Sequence, residues 1–144
     1  MKRIALIAAA VLGLTMSAHT ASAICLAQPE NGNWRNIDSN TRSITRATIR
    51  FQCQDQILNG RPYPPGAPWY IHLWGSCSPS DCDWGEVPAR RLENGWIFGR
   101  IDQGFARREL WVKMSGGRLR VYVRTDFTDP NRADYNTDNF FTMY

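Results

Sequence analysis

Between Ser43 and Phe127 the chain changes character at every second residue, and this constrains its fold more than anything else in it. From Ser43 to Cys53, Ala47, Ile49, Phe51 and Cys53 can share one face while Arg46, Thr48, Arg50 and Gln52 share the other. Such alternation marks a strand with one side buried. Trp69 to Gly75 sets Trp69, Ile71 and Leu73 against Tyr70, His72 and Trp74. Further on, Ala106, Arg108, Leu110, Val112 and Met114 alternate with Arg107, Glu109, Trp111 and Lys113. Leu119, Val121, Val123, Thr125 and Phe127 then form one face, with Arg120, Tyr122, Arg124 and Asp126 on the other. No long segment places apolar residues at helical spacing.

Turn chemistry separates these runs. Val87 to Leu92 and Trp96 to Ile101 flank Glu93-Asn94-Gly95, where Asn-Gly supplies the positive backbone angles of a tight hairpin. Ser115-Gly116-Gly117 turns the chain again, Thr128 to Asp134 reads as a loop, and Tyr135 to Tyr144 supplies a last aromatic strand. Residues 54–68 hold Asn59-Gly60, Pro62, Pro64-Pro65-Gly66 and Pro68, which forbid a central strand and predict the longest loop, a candidate mobile lid. With a first strand at Asn33 to Asp38 the chain has about eight short strands in one all-β antiparallel meander. Closure into a barrel, or near closure, removes the exposed edges that invite aggregation. At roughly this strand number the interior is either filled by side chains or holds one small ligand.

The densest stretch is Trp74 to Gly85, W-G-S-C-S-P-S-D-C-D-W-G. Its Trp-Gly pairs read as the end of one strand and the start of the next, with Cys77 and Cys82 closing the loop between them. Cys25 and Cys53 complete an even set, which in a small exported chain reads as a disulfide framework with three possible pairings. The favoured pairing joins Cys77 to Cys82 and Cys25 to Cys53, stapling the mature N-terminus onto a strand. The competing zinc site needs reduced thiolates and a Cys-x-x-Cys or histidine at ligand spacing.

Export is expected from residues 1–23: basic Lys2 and Arg3, an apolar run from Ile4 to Met16, and Ala21-Ser22-Ala23 as the cleavage site. The apolar run is shorter than the ~20 residues of a bilayer span, and Ile24 before Cys25 argues against a lipid anchor. The mature protein, residues 24–144, is then a single periplasmic or secreted domain with no membrane span. Removing Lys2 and Arg3 leaves 15 basic residues against 13 acidic ones. That balance is too small to argue for nucleic acid.

Gly32-Asn33-Trp34-Arg35-Asn36 opens the first strand. This Gly-x-Trp resembles the calycins, the superfamily of lipocalins, avidins and some small barrel inhibitors, and its Gly-x-Trp-x-Asn form resembles avidins. The resemblance implies that Trp34 plugs the closed end of the barrel and that a late-strand arginine, Arg124, stacks on its indole. Asn36 matches an avidin-type polar pocket residue. The later tryptophan and tyrosine positions of avidins have no counterpart, so biotin binding is not implied. The longer pattern of Gly32 to Asp38, Thr41-Arg42, Trp74 to Gly85 and Asp126-Phe127-Thr128-Asp129 is similar to a group of small exported bacterial domains without an assigned activity.

His72 is the only histidine after cleavage, and a strand histidine is ordinarily capped by a neighbour. Asp81 and Asp83 fit backbone capping of their own loop before calcium or glycoside chemistry. Nucleophile and base arrangements lack material when the thiols are oxidised, so an enzyme is not expected, nor a cofactor or a metal. The leading expectation is a non-enzymatic binding protein whose open barrel end, near Trp74 to Gly85 and the 54–68 loop, takes a small molecule or glycan. Its candidate residues are Asn36, Trp74, Asp81, Asp83 and Trp84. The alternative is a protein-interaction or inhibitor module of the envelope or secretome, since a disulfide-locked loop lowers the ordering cost of binding.

Overall fold

The computed structural model describes residues 25–144, and the expected signal segment lies outside the described residues. The strands are β1 (Gly32–Asn36), β2 (Ile44–Phe51), β3 (Gln56–Leu58), β4 (Arg61–Tyr63), β5 (Trp69–Gly75), β6 (Cys82–Arg91), β7 (Ile97–Asp102), β8 (Ala106–Ser115), β9 (Arg118–Phe127) and β10 (Tyr135–Met143). Eight of them close a barrel in the order β1-β10-β9-β8-β7-β6-β5-β2, every neighbour antiparallel, while β3 and β4 form a separate hairpin. Both disulfides pair as favoured, Cys25 with Cys53 and Cys77 with Cys82.

The alternation fills the barrel. Ile49, Ile71, Leu110, Val121 and Phe141 converge from five strands and are all but inaccessible to solvent. The outer wall carries pairs such as Arg50–Glu86, Arg100–Glu109 and Arg120–Asp138. An apolar inside and a charged outside reverse the arrangement of a transmembrane barrel. No helix among the described residues is long and apolar enough to cross a membrane.

Connections alternate between two ends. The upper end has the loops 37–43, 76–81, 103–105 and 128–134; the lower end has the 52–68 excursion and the turns after β6 and β8. The 54–68 segment therefore lies at the opposite end from the Cys77–Cys82 loop, and the two do not frame one mouth as expected. It is also not a bare loop. Asn59 and Gly60, with φ of 51° and 73°, turn β3 into β4, and Gln52 and Gln54 donate to the carbonyls of Pro65, Pro64 and Gly66. The Glu93-Asn94-Gly95 turn works differently from expectation: only Gly95 has positive φ (88°), after a turn closed by Gly95 N–H on the Leu92 carbonyl. The first strand stops at Asn36, short of Asp38, because Asn36 Oδ1 takes the Asp38 N–H into a local turn.

The seam between β6 and β7 shares with β1–β10 the fewest paired positions in the barrel wall, pairing Arg91↔Ile97, Arg90↔Phe98 and Ala89↔Gly99 only. Leu92 N–H donates to the Trp96 carbonyl, which sets the phase of the ladder, so that hydrogen-bonded pairs fall at Arg90–Phe98 and then at Pro88 and Arg100. Proline supplies no N–H there. No register joins Glu86–Pro88 to Arg100–Asp102.

Trp34 is buried at the lower end and donates from Nε1 to the Glu30 carbonyl at 2.9 Å. Arg124 is not its stacking partner: it faces outward and holds Asp126 at 3.1 Å. The reason is phase, because Leu119, Val121, Val123 and Thr125 take the inward positions of β9. The arginine at that end is Arg91, 5.0 Å from the Trp69 ring centroid and paired with buried Glu30.

This inside-outside assignment is testable by chemical denaturation. Leu110→Ala should lose about 2–5 kcal/mol, whereas Arg124→Ala should stay within about 0.5 kcal/mol of the parent. A large loss for Arg124→Ala would return that side chain to a structural post.

Candidate functional site at the upper barrel end

Toward the upper end the interior turns polar. Arg108 and Asn36 are each 6% exposed and Thr125 is fully buried. Arg108 sits in the apolar phase of β8, between Ala106 and Leu110. Its Nε donates to Gln103 Oε1 at 2.8 Å, and its Nη1 donates to Thr125 Oγ1 at 3.1 Å and to the Tyr135 hydroxyl at 3.2 Å. Its guanidinium carbon lies 4.0 Å from the Trp84 ring centroid. Every one of these partners is neutral. Among the described residues Arg108 is the one buried cation, and arginine, unlike lysine or histidine, keeps its charge inside a protein. Desolvating such a charge costs several kcal/mol, and a desolvated ring face returns only about 2 kcal/mol.

Trp84 reaches the interior through a β-bulge. His72 pairs with Glu86 and Trp74 with Asp83, so Trp84 and Gly85 together face Leu73. Gly85 takes φ of 84° there, and its N–H donates to Asp83 Oδ1. The extra residue lets Trp84 and Val87 both point inward, a re-aiming that bulges commonly perform. Gly75 is needed for a different reason: a Cβ on it would stand 2.7–2.9 Å from three atoms of the Trp84 indole.

The five residues singled out in the sequence do not meet in one pocket. Asn36 belongs to the inner polar layer, where its Nδ2 donates to the Ile44 carbonyl at 2.7 Å and to Asn139 Oδ1 at 3.2 Å. Asp81 stands on the rim, accepting from Thr45 Oγ1 at 2.7 Å and Arg46 Nε at 3.3 Å. Asn36 and Asp81 line one cleft of about 230 Å³ with Arg35, Asp38, Thr41 and Thr45. Trp84 lies inside, against Arg108. Trp74 and Asp83 are on the outer wall with His72, whose ring stacks on Trp74 at 3.8 Å and bonds Asp83 through Nε2. Arg46 covers Trp74 at 4.7 Å. The hydrogen bond from His72, then that from the Gly85 amide, hold the Asp83 carboxyl below the usual aspartate range.

Arg108, Gln103, Thr125 and Tyr135 were not singled out in the sequence. Arg108 had a signal: a cation in the apolar phase of a strand. Thr137, on the same face of β10 as Tyr135, has a buried hydroxyl without a hydrogen-bond partner. A second surface feature lies on the outer wall, where Trp96, Trp111, Tyr122, Asn94 and Arg120 line a groove of about 320 Å³. Its arginine is already held by Asp138. At the lower end Cys25, Cys53 and Asp55 cluster, but the sulfurs are joined and offer no thiolate to a metal.

What these elements define is an all-β, disulfide-stapled meander of eight strands closed into a barrel, consistent with a calycin-like fold. Comparison of the chain with protein-family models, with curated proteins and with solved structures gives no significant match. The functional reading therefore rests on the geometry of the upper end itself.

Two measurements probe that geometry. Gly75→Ala should displace the Trp84 indole and cost about 1–3 kcal/mol, as overpacking does, with a change in tryptophan emission. Asp83 should titrate by NMR below the ordinary aspartate value of about 3.9. Because its folded pKa is lowered, its contribution to stability is complete above the unfolded value and is lost as pH falls through the folded one. His72→Ala should bring the Asp83 midpoint back up; an unchanged midpoint would reject the pair.

Proposed function

We propose that this is an exported, non-enzymatic binding protein whose upper barrel end takes a small molecule or a short glycan. Two disulfides support an oxidising compartment. The interior at the lower and middle levels is lined by buried apolar side chains, which favours the end where the interior turns polar. The observation that carries the proposal is Arg108, a buried guanidinium laid on Trp84 with only neutral partners. Binding sites combine an aromatic wall with a few placed polar groups, and Trp84, Arg108, Tyr135 and Gln103 make that combination.

Protein interaction is the second proposal, favoured by one feature. Beside the short β6–β7 seam, where Glu86–Pro88 have no registered partner on β7, lies a groove of about 470 Å³ lined by Ala67, Pro68, Pro88, Phe98 and Gly99 and rimmed by Arg90 and Arg100. An extended peptide that added a strand there would slow hydrogen exchange at the Arg100 and Asp102 amides.

The test is two-dimensional NMR of the disulfide-bonded protein against a panel of neutral sugars and small organic acids. The Trp84 indole N–H and the Arg108 Nε–H should move saturably while the Trp34 and Trp69 indoles stay in place. A panel that shifts only Trp96 and Trp111 would move the site to the outer wall and overturn the proposal.

A further inference from the structure

We infer that the upper barrel end is an oxyanion site, in which Arg108 receives a carboxylate, sulfate or phosphate group of the ligand. This rests on the proposal that the upper end binds a ligand and names the chemistry that ligand must present.

A guanidinium has five N–H groups. Gln103 takes the Nε hydrogen, and Thr125 and Tyr135 take those of Nη1. Nη2 has no protein acceptor among the described residues and is not among the buried unpartnered atoms, so it is the edge of an otherwise buried guanidinium that solvent reaches. Trp84 covers a face of the guanidinium plane, and Gln103, Thr125 and Tyr135 fix its rotation. What stays open is the Nη2 edge, and a pre-oriented edge of this kind matches the planar fork that oxyanions accept from arginine.

The upper end is not short of carboxylates that could serve as counter-charges, but each is committed elsewhere. Asp102, Asp129 and Asp134 accept backbone amides of their own loops from Gly104, Asn131 and Phe127. Asp81 holds Thr45 and Arg46, and Asp126 holds Arg124. None of these carboxylates pairs with Arg108, whose hydrogen-bond partners are all neutral.

Thr137 points the same way independently of Arg108. Its buried hydroxyl has no partner, and it lies two residues along β10 from the Tyr135 that holds Arg108. A buried hydroxyl without a partner is an uncommon loss, and Thr137 stands one rung deeper than the Tyr135–Thr125 pair that holds Arg108, where a ligand oxygen entering past the Nη2 edge would be its acceptor.

The experiment titrates sodium phosphate, sulfate and acetate into the disulfide-bonded protein at ionic strength matched with sodium chloride. The readouts are the Arg108 Nε–H and Trp84 indole resonances and the Tm. At least one anion should shift both resonances saturably and raise Tm by roughly 2–5 °C. Sulfate and phosphate also stabilise proteins generally, so Arg108→Met is the control: its Tm without anion should equal or exceed the parent's, since an unpaired buried charge has been removed, and the specific increment should vanish. Arg108→Lys, which keeps the charge and loses the fork, should weaken the anion at least tenfold. Thr137→Val should fold normally and weaken it several-fold. Equal anion responses in the parent and in Arg108→Met would overturn the inference, as would resonances that do not move at any anion concentration. Neutral sugars that shift Trp84 while anions do not would sink the oxyanion alone and leave the ligand-binding proposal standing.

Discussion

Closure with a strict inward phase is the constraint on which the rest of this structure depends. A sheet of eight strands that meets itself has no edge to shed side chains past, so whatever occupies the inward positions must fill one narrow lumen to crystal-like density. Trp34, Ile49, Ile71, Leu110, Val121 and Phe141 do so over the lower and middle levels. Those layers are lined by apolar side chains shut off from solvent. The four upper loops and the polar layer beneath them are where the constraint relaxes.

The disulfides act on the ends rather than on the wall. Cys25–Cys53 spans 28 residues and Cys77–Cys82 spans 5, so chain-entropy reasoning gives the first about 3.6 kcal/mol and the second about 2 kcal/mol. The stronger constraint falls at the lower end, where the first described residue is tied down beside β2. The weaker one fixes the loop that delivers Asp81 to Thr45 and Arg46 and opens into the Trp84 bulge. Its value is positional: the bulge, Gly75 and the short loop together allow Trp84 one place to lie, which lowers the ordering cost of any contact made to it.

Much of this was legible in the chain because alternation is a local signal. The strand phases from Ala47 to Phe127, the cysteine pairs and an arginine in the inward phase of β8 can all be read from spacing alone. Other features required long-range knowledge. The bulge at Trp84–Gly85 exists only relative to Leu73 across the ladder, and in isolation Gly85 looks like a turn residue. The β3–β4 hairpin hides beneath prolines, although Asn59-Gly60 at its tip, with both residues at positive φ, is a stronger hairpin signal than Asn94-Gly95. Topology corrects two of the expectations. In an up-and-down barrel consecutive connections alternate between ends, so 54–68 and 76–81, which flank the single strand β5, must lie opposite each other. Likewise Arg124 shares its phase with Arg120 and Tyr122, outward residues, and lateness in the chain does not bring a side chain inside.

Arg108 also bears on what kind of discrimination such an end can achieve. In the partly desolvated barrel mouth an ion pair interacts more strongly than on the surface, because the effective dielectric is lower. A guanidinium with most of its surface already buried and its rotation fixed loses little further hydration when a ligand meets its Nη2 edge. A neutral ligand would leave the Nη2 donors as unpaired as before, so its affinity would come from Trp84 contact alone. On the proposed oxyanion reading, the unbound protein holds a buried charge without a countercharge, and a ligand of opposite sign would supply one. Placing the penalty in the unbound state is how a small rigid barrel without a deep pocket can still prefer one class of ligand.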